Sequence, residues 1–189
     1  GAGNFSDLDR LVEFTASLGG HAVATLPMLA NFLDEPFNPS PYAPVSRLFW
    51  NEFYLDIERI GELQDCAEAK TLLTTSSLIT DLEQWRAAPL VQYRRVMARK
   101  REILTALLRA LLQSSAQRRD DFENFIASHP VAQDYAEFRA KTEREQKIWI
   151  DWPMDSREGK LHCSDFDDFA KLYHLYVQWQ CAEQIAAVS

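Results

Sequence analysis

The sequence predicts an α/β start followed by a mainly α-helical remainder. Two observations carry that expectation: a helix pattern running into a short apolar stretch before Pro27, and a long helically spaced stripe from Leu90 to Leu112. In the first helix Ser6 is the expected cap, and Leu8, Leu11, Val12 and Leu18 fall on one face. Gly19-Gly20 supplies a left-handed stop. His21 to Leu26 then reads HAVATL and ends at Pro27, the pattern of a short buried strand that follows its helix through a tight connection.

From Ala30 to Pro44 four prolines are interleaved with Asn31, Asp34, Asn38 and Ser40. Proline fixes φ and lacks an amide donor, so this stretch is neither a helix interior nor a central strand, and a long stiff loop is expected. Phe49 to Ile57 is aromatic and extended in character, and Gly61 to Thr75 suits one short helix. Pro89 then occupies a first-turn position, and Leu90, Tyr93, Met97, Leu104, Leu108 and Leu111 trace one stripe. Phe122, Phe125 and Ile126 mark another helix, stopped at His129-Pro130, and Val131, Tyr135 and Phe138 open a third that runs to about Lys147. Ile148 to Lys160 reads as a tryptophan-containing loop. Ser164, Asp165, Asp167 and Asp168 cap a last helix whose apolar side carries Phe166, Phe169, Tyr173, Tyr176, Val177 and Ile185.

The 189 residues, 47% hydrophobic, suffice for a packed core. With 28 acidic against 20 basic residues the net charge is -8, which repels phosphate backbones, so no nucleic acid is expected as a partner. The basic stretch Arg94 to Arg101 alternates with Val96, Met97 and Ala98 as a solvated helix face does. Cys66, Cys163 and Cys181 are odd in number and unpaired in sequence, pointing to a reducing compartment and a cytoplasmic location. No apolar run is long enough to span a membrane, and no membrane association is expected.

Several chemistries lack their signature. The glycines fit neither phosphate-binding spacing, no G-x-S-x-G occurs, and His21, His129, His162 and His174 are scattered without metal-site spacing. Neither cofactor nor metal is expected, and His174 reads as a hydrogen-bonded core residue. Asp34-Glu35 and Glu52 with Asp56 could form acid/base pairs, but solvated and capping acids outnumber catalytic ones in an acidic chain, and no catalytic residue is assigned.

The distinctive stretch is Pro36 to Tyr54, PFNPSPYAPVSRLFWNEFY. A proline-held loop presenting Ser40, Tyr42, Asn51 and several rings has what gripping a sugar requires, a flat apolar face with hydroxyl and amide hydrogen bonds. A packed connector with buried aromatics is the competing reading.

This stretch resembles glycoside hydrolase family 77, the amylomaltases or 4-alpha-glucanotransferases, whose pattern is S-P-Y, a serine-containing run, then N-P-x-Y-[IL]-D. Here these stand as Ser40-Pro41-Tyr42, Ser46-Arg47-Leu48-Phe49-Trp50 and Asn51-Glu52-Phe53-Tyr54-Leu55-Asp56. Upstream, Gly1-Ala2-Gly3-Asn4-Phe5-Ser6-Asp7-Leu8 is similar to G-x-G-D-F-x-D-L, and Ala24 to Met28 looks like a strand ending in L-P-L. Downstream, Val91-Gln92-Tyr93, Asp134-Tyr135-Ala136-Glu137-Phe138, Trp149-Ile150-Asp151-Trp152-Pro153 and Tyr176-Val177-Gln178-Trp179 resemble V-D-Y, D-Y-x-x-F, W-x-x-W-P and F-x-Q-W, in the family's order. Glu52 stands where proline is usual, Gln92 where aspartate is usual, and Phe37 where relatives can carry a sugar-stacking tyrosine.

The resemblance implies an incomplete piece of a (β/α)8 barrel, one helix and one strand, followed by a mainly α-helical insertion subdomain, because a whole barrel needs at least ~200 residues. Residues 1–40 would be the partial barrel segment with the substrate loop, and 41–189 the insertion. The family's nucleophile lies in R-x-D-H, its acid/base in E-D-L-G and a third acid in T-H-D; none of these strings occurs here, so the chain alone is expected to be inactive. By resemblance Tyr42 stacks on a glucose unit of a maltooligosaccharide or other α-1,4-glucan, Ser40 hydrogen-bonds it, and Asn51 contacts substrate or braces the loop. Phe37, Trp149 and Trp152 are possible outer glucan contacts, with a core plug as the other reading of the tryptophan pair. A non-catalytic helical interaction or scaffold module is the alternative for the whole chain.

Overall fold

Eight α-helices organise the described part of the chain, residues 2–188 of a computed structural model. Gly1, the first residue of the G-x-G-D-F-like motif, lies outside the described residues. Helix α1 spans Phe5–Ser17 and is capped by Asn4, two residues before the expected cap Ser6. Asn4 Oδ1 accepts from Asp7 N at 2.9 Å and Asp7 Oδ2 accepts from Asn4 N at 2.9 Å, a reciprocal box that satisfies two amides. Ser6 instead donates to Asp56. Gly19, at φ 79, ends the helix as its sequence implied. Phe5 is buried against Trp50 and Tyr54, whereas Leu11, Phe14 and Leu18 remain exposed.

His21 to Leu26 does not form the expected strand. The segment has no regular structure and is exposed except for half-buried Val23. An apolar run becomes a strand when a neighbouring strand takes up its N–H and C=O groups, and no strand lies beside it among the described residues. The α/β start is therefore corrected to a helical chain with two isolated antiparallel bridges, Leu29 with Trp50 and Phe32 with Asn38.

After three single 3₁₀ turns over Glu52–Tyr54, Ile57–Arg59 and Gly61–Gln64 come α2, Ala67–Thr74, and α3, Ser76–Ala87. The single helix expected over Gly61 to Thr75 is a 3₁₀ turn followed by α2, ending where expected, and α3, which was not expected from the sequence, begins after Thr75, extended at φ -63, ψ 136. Helix α4 covers Tyr93–Leu112 and begins after Pro89, not on it. Leu90 is exposed there, while Val91 turns inward onto Leu33, Phe53 and Met97. Helices α5, Ala116–Ser128, and α6, Pro130–Glu145, break at His129-Pro130 as expected. A short α7, Met154–Arg157, precedes α8, Asp168–Ala186, whose cap is Asp167, accepting from Ala170 N at 2.8 Å.

Helix α8 is the axis of the fold. It was expected to bury one side, yet Tyr173 to Cys181 is buried without interruption, as in a helix surrounded by other elements. Leu104, Leu107, Leu108 and Leu111 of α4 pack in the same core. Helix α6 lies along α8, and Ala132 and Ala136 place small side chains in that core at helical spacing. Among the polar groups buried on α8, Tyr173 Oη, His174 Nδ1 and Gln180 Nε2 have no hydrogen-bond partner among the described residues, whereas two glutamines serve a distant backbone. Gln178 accepts from Trp50 N at 3.0 Å and donates to Trp50 O at 2.8 Å, as a neighbouring strand would. Gln184 does the same for Asp56, at 2.9 and 2.8 Å. Phe49 to Ile57, expected to be extended, instead carries a 3₁₀ turn at Glu52–Tyr54, and side-chain amides hold it on either side of that turn in place of a sheet.

Candidate functional site at the proline loop

Ser40, Pro41, Tyr42 and Ala43 form a tight turn, closed by Ala43 N donating to Ser40 O at 3.1 Å, with Pro41 in the position its fixed φ suits. Its flank is tied down by Asn38 N to Phe32 O at 2.8 Å and by Val45 N to Ala30 O at 2.8 Å. The Tyr42 ring stands 75% exposed at the tip, so the packed-connector reading does not describe this residue. Ser40 is half-buried beside it.

Of its two expected roles, substrate contact or loop brace, Asn51 takes the second. It is 3% exposed, its Oδ1 accepts from Phe53 N at 3.0 Å and its Nδ2 donates to Asn31 Oδ1 at 3.2 Å. With both ends of the amide used internally, Asn51 braces the loop in this arrangement.

Phe37 and Trp149 come together although more than a hundred positions separate them in the chain: both line a cleft of about 410 Å³ that also touches Ala43 and Phe138. One face of Phe37 carries the Arg94 guanidinium, 4.4 Å from the ring centre, and Arg94 pairs with Glu35 at 2.8 Å. Trp149 is half exposed. Trp152 is not on this cleft: it is 5% exposed, packed on Phe138 with ring centres 5.3 Å apart and under the Lys141 ammonium. For Trp152 the core plug is therefore the arrangement observed.

Three of the four acids named from the sequence are engaged, Glu35 by Arg94 among them, whereas Glu52 Oε2 is buried without a hydrogen-bond partner among the described residues. Asp34 faces Arg139, and Asp56 accepts from Ser6 and from Glu58 N, a capping role. Glu52 is buried on a cleft of about 340 Å³ that also carries Arg101, Arg139 and Glu143. The sequence reading passed over Arg139, which is 2% exposed and donates to Asn31 O and Tyr135 Oη, each at 3.3 Å. Its signal was available: an arginine four positions after Tyr135 on a face made otherwise of Ala132, Ala136 and Ala140. Lys100, expected on a solvated helix face with the rest of Arg94 to Arg101, instead turns inward and donates to the carbonyls of Phe53 and Leu55 at 2.5 and 2.7 Å, and burial pushes its ammonium down to about 8. Among the described residues no group of three or more His, Cys, Asp or Glu side chains is assembled for a metal, and no helix is long and apolar enough to cross a membrane.

The structure is a helical body carrying an aromatic, proline-pinned loop, and comparison with known proteins gives its class. Over residues 1–189 the sequence matches the family model described as 4-alpha-glucanotransferase. The chain belongs to this family, glycoside hydrolase family 77. It is 32% identical to the 4-alpha-glucanotransferase of Mycobacterium bovis across 99% of its own length, and it spans 27% of that relative. The 4-alpha-glucanotransferase of Haemophilus influenzae is 24% identical, with 100% of this chain and 30% of the relative covered. The crystal structure of amylomaltase from Corynebacterium glutamicum superimposes with a TM-score of 0.70 at 26% identity, covering 100% of this chain and 25% of that one. The chain thus spans between a quarter and a third of the length of these proteins.

Proposed function

We propose that this chain forms part of the substrate cleft of a 4-alpha-glucanotransferase, which moves α-1,4-glucan segments to acceptor sugars by a retaining double displacement. In that reaction a carboxylate captures the glycosyl unit, and an acceptor hydroxyl, in place of water, releases it. The observation that carries the reading is the exposed Tyr42 ring on a turn anchored to the buried core. Tyr42 stacks on a glucose unit, the Ser40 hydroxyl hydrogen-bonds it, and Phe37 with Trp149 guides the outer glucan along their shared cleft. Residues 1–40 belong to the barrel and 41–189 to the helical insertion; the exposed Leu11, Phe14, Leu18 and Leu26 support a docking role for the first of these. The nucleophile and acid/base come from segments other than these 189 residues.

The test is a transfer assay with maltotriose. The full-length protein is expected to yield glucose together with longer maltooligosaccharides, and the 189-residue chain alone neither. Full-length protein that leaves maltotriose unchanged contradicts the reading.

A further inference from the structure

Asn31 lies in the proline loop with its side chain buried, 5% exposed, and no family motif quoted above includes it. Its Nδ2 donates to the carbonyl of Ser40 at 2.7 Å, the same carbonyl that closes the Ser40 to Ala43 turn. Its Oδ1 accepts from Asn51 Nδ2 at 3.2 Å, and its own carbonyl accepts from Arg139 of α6 at 3.3 Å. Asn51 is in turn fixed through its N–H to Met28 O at 3.0 Å and sits next to Trp50, which Gln178 of α8 clamps. A turn closed by its own bond keeps its shape but can still swing as a unit. A second bond from a buried amide to the turn's first carbonyl removes that freedom.

We infer that Asn31 is a positioning residue, acting through the Ser40 carbonyl to hold the Tyr42 ring in the pose that meets a glucose unit. The inference rests on the glucan-transfer reading of Tyr42. It requires an amide at position 31, because one end must donate to Ser40 while the other accepts from Asn51. Aspartate keeps the shape and the acceptor but has no N–H to give the Ser40 carbonyl.

The experiment is a double-mutant cycle in the full-length protein, with kcat/KM on maltotriose and thermal midpoint read for each variant. Asn31→Asp is expected to lower kcat/KM by about 5- to 10-fold, the scale of one positioning hydrogen bond. On a Tyr42→Ala background the same change is expected to alter kcat/KM by less than about twofold, while the drop in thermal midpoint stays the same on both backgrounds. Asn31→Ala, which also lacks the donor, replaces Asn31→Asp if the latter does not accumulate. An undiminished kinetic loss on the Tyr42→Ala background means a merely structural role and overturns the inference. So does an unaffected kcat/KM in Asn31→Asp when Tyr42→Ala is impaired. If Tyr42→Ala itself transfers normally, the glucan reading of that residue falls, and the inference with it.

Discussion

Tyr42→Ala in the full-length protein is expected to lower kcat/KM for maltotriose transfer by about 20- to 100-fold while leaving the fold intact. The magnitude follows from the ring's area: a face covering about 50 Å² of sugar, at about 25 cal/mol per Å², contributes near 1.3 kcal/mol. Directional contacts of an aromatic face add about 0.5–1.5 kcal/mol. The two together correspond to that range of rates, since about 1.4 kcal/mol is tenfold. Stability should hardly change, because the side chain is 75% exposed and packs on nothing that its removal would open. Tyr42→Phe is expected to stay within about threefold of the parent, since it keeps the face and loses only the hydroxyl. Steady-state kinetics on the three proteins, with circular dichroism as the control for folding, check this.

The largest expected loss of stability lies at Glu143 on α6. Its carboxylate receives both ends of the Arg101 guanidinium at 2.6 and 2.9 Å and meets His174 Nε2 at 2.7 Å. Arg101 also lies over the Tyr173 ring, 3.4 Å from its centre, so α4, α6 and α8 converge on this one group. Removing Glu143 leaves buried His174 and partly exposed Arg101 without their carboxylate, and Glu143→Ala is expected to cost about 1–3 kcal/mol in a urea melt, less than for a fully buried pair because water reaches Arg101. Glu143→Gln, which can still accept from Arg101, should cost less.

The same cluster sets a direction with pH. Burial opposes ionisation of Glu143, but His174 and Arg101 overcome it and hold the carboxyl well below its ordinary value of 4.5. The unfolded chain then takes up this proton first as pH falls, so the stabilisation is complete above 4.5 and drains away beneath it. Burial also pushes the His174 imidazole below its ordinary 6.5, with Glu143 acting in the opposite sense. Here too the unfolded state binds the proton first, so stability declines from about 6.5 downward, by at most ~1.4 kcal/mol per pH unit for each proton. Urea melts across pH 4 to 7 are expected to show this decline as a shallow slope above 4.5 and a steeper one below.

Much of the helical frame was legible because its signals are local. The stripe Met97, Leu104, Leu108 and Leu111 reports the buried face of α4 directly, and Gly19 and Pro130 mark ends that backbone geometry imposes. The stiff loop around Tyr42 was legible for a similar reason, since four prolines exclude a helix interior and a central strand, but the exposure of the ring at its tip was not, a packed connector being the competing reading. Long-range partners were not legible. Gln184 is unremarkable in sequence and Gln178 stands out only as a motif letter in Tyr176-Val177-Gln178-Trp179, yet each serves a backbone 128 positions away. The buried arginine Arg139 depends on Asn31, 108 positions earlier, and Asn31 itself looks like any loop asparagine until its contact with Ser40 is seen. His21 to Leu26 misled because strand formation is a property of two segments, and the sequence pattern describes one.

The most direct measurement follows the Tyr42 ring while glucan is added. In the full-length protein with the tyrosine rings isotopically labelled, maltotriose is expected to shift the Tyr42 ring resonances saturably and to leave buried Tyr173 and Tyr176 unmoved. Tyr42 signals that stay fixed at concentrations where glucan transfer is saturated would contradict the account, because the ring would then be no part of the surface that holds the sugar.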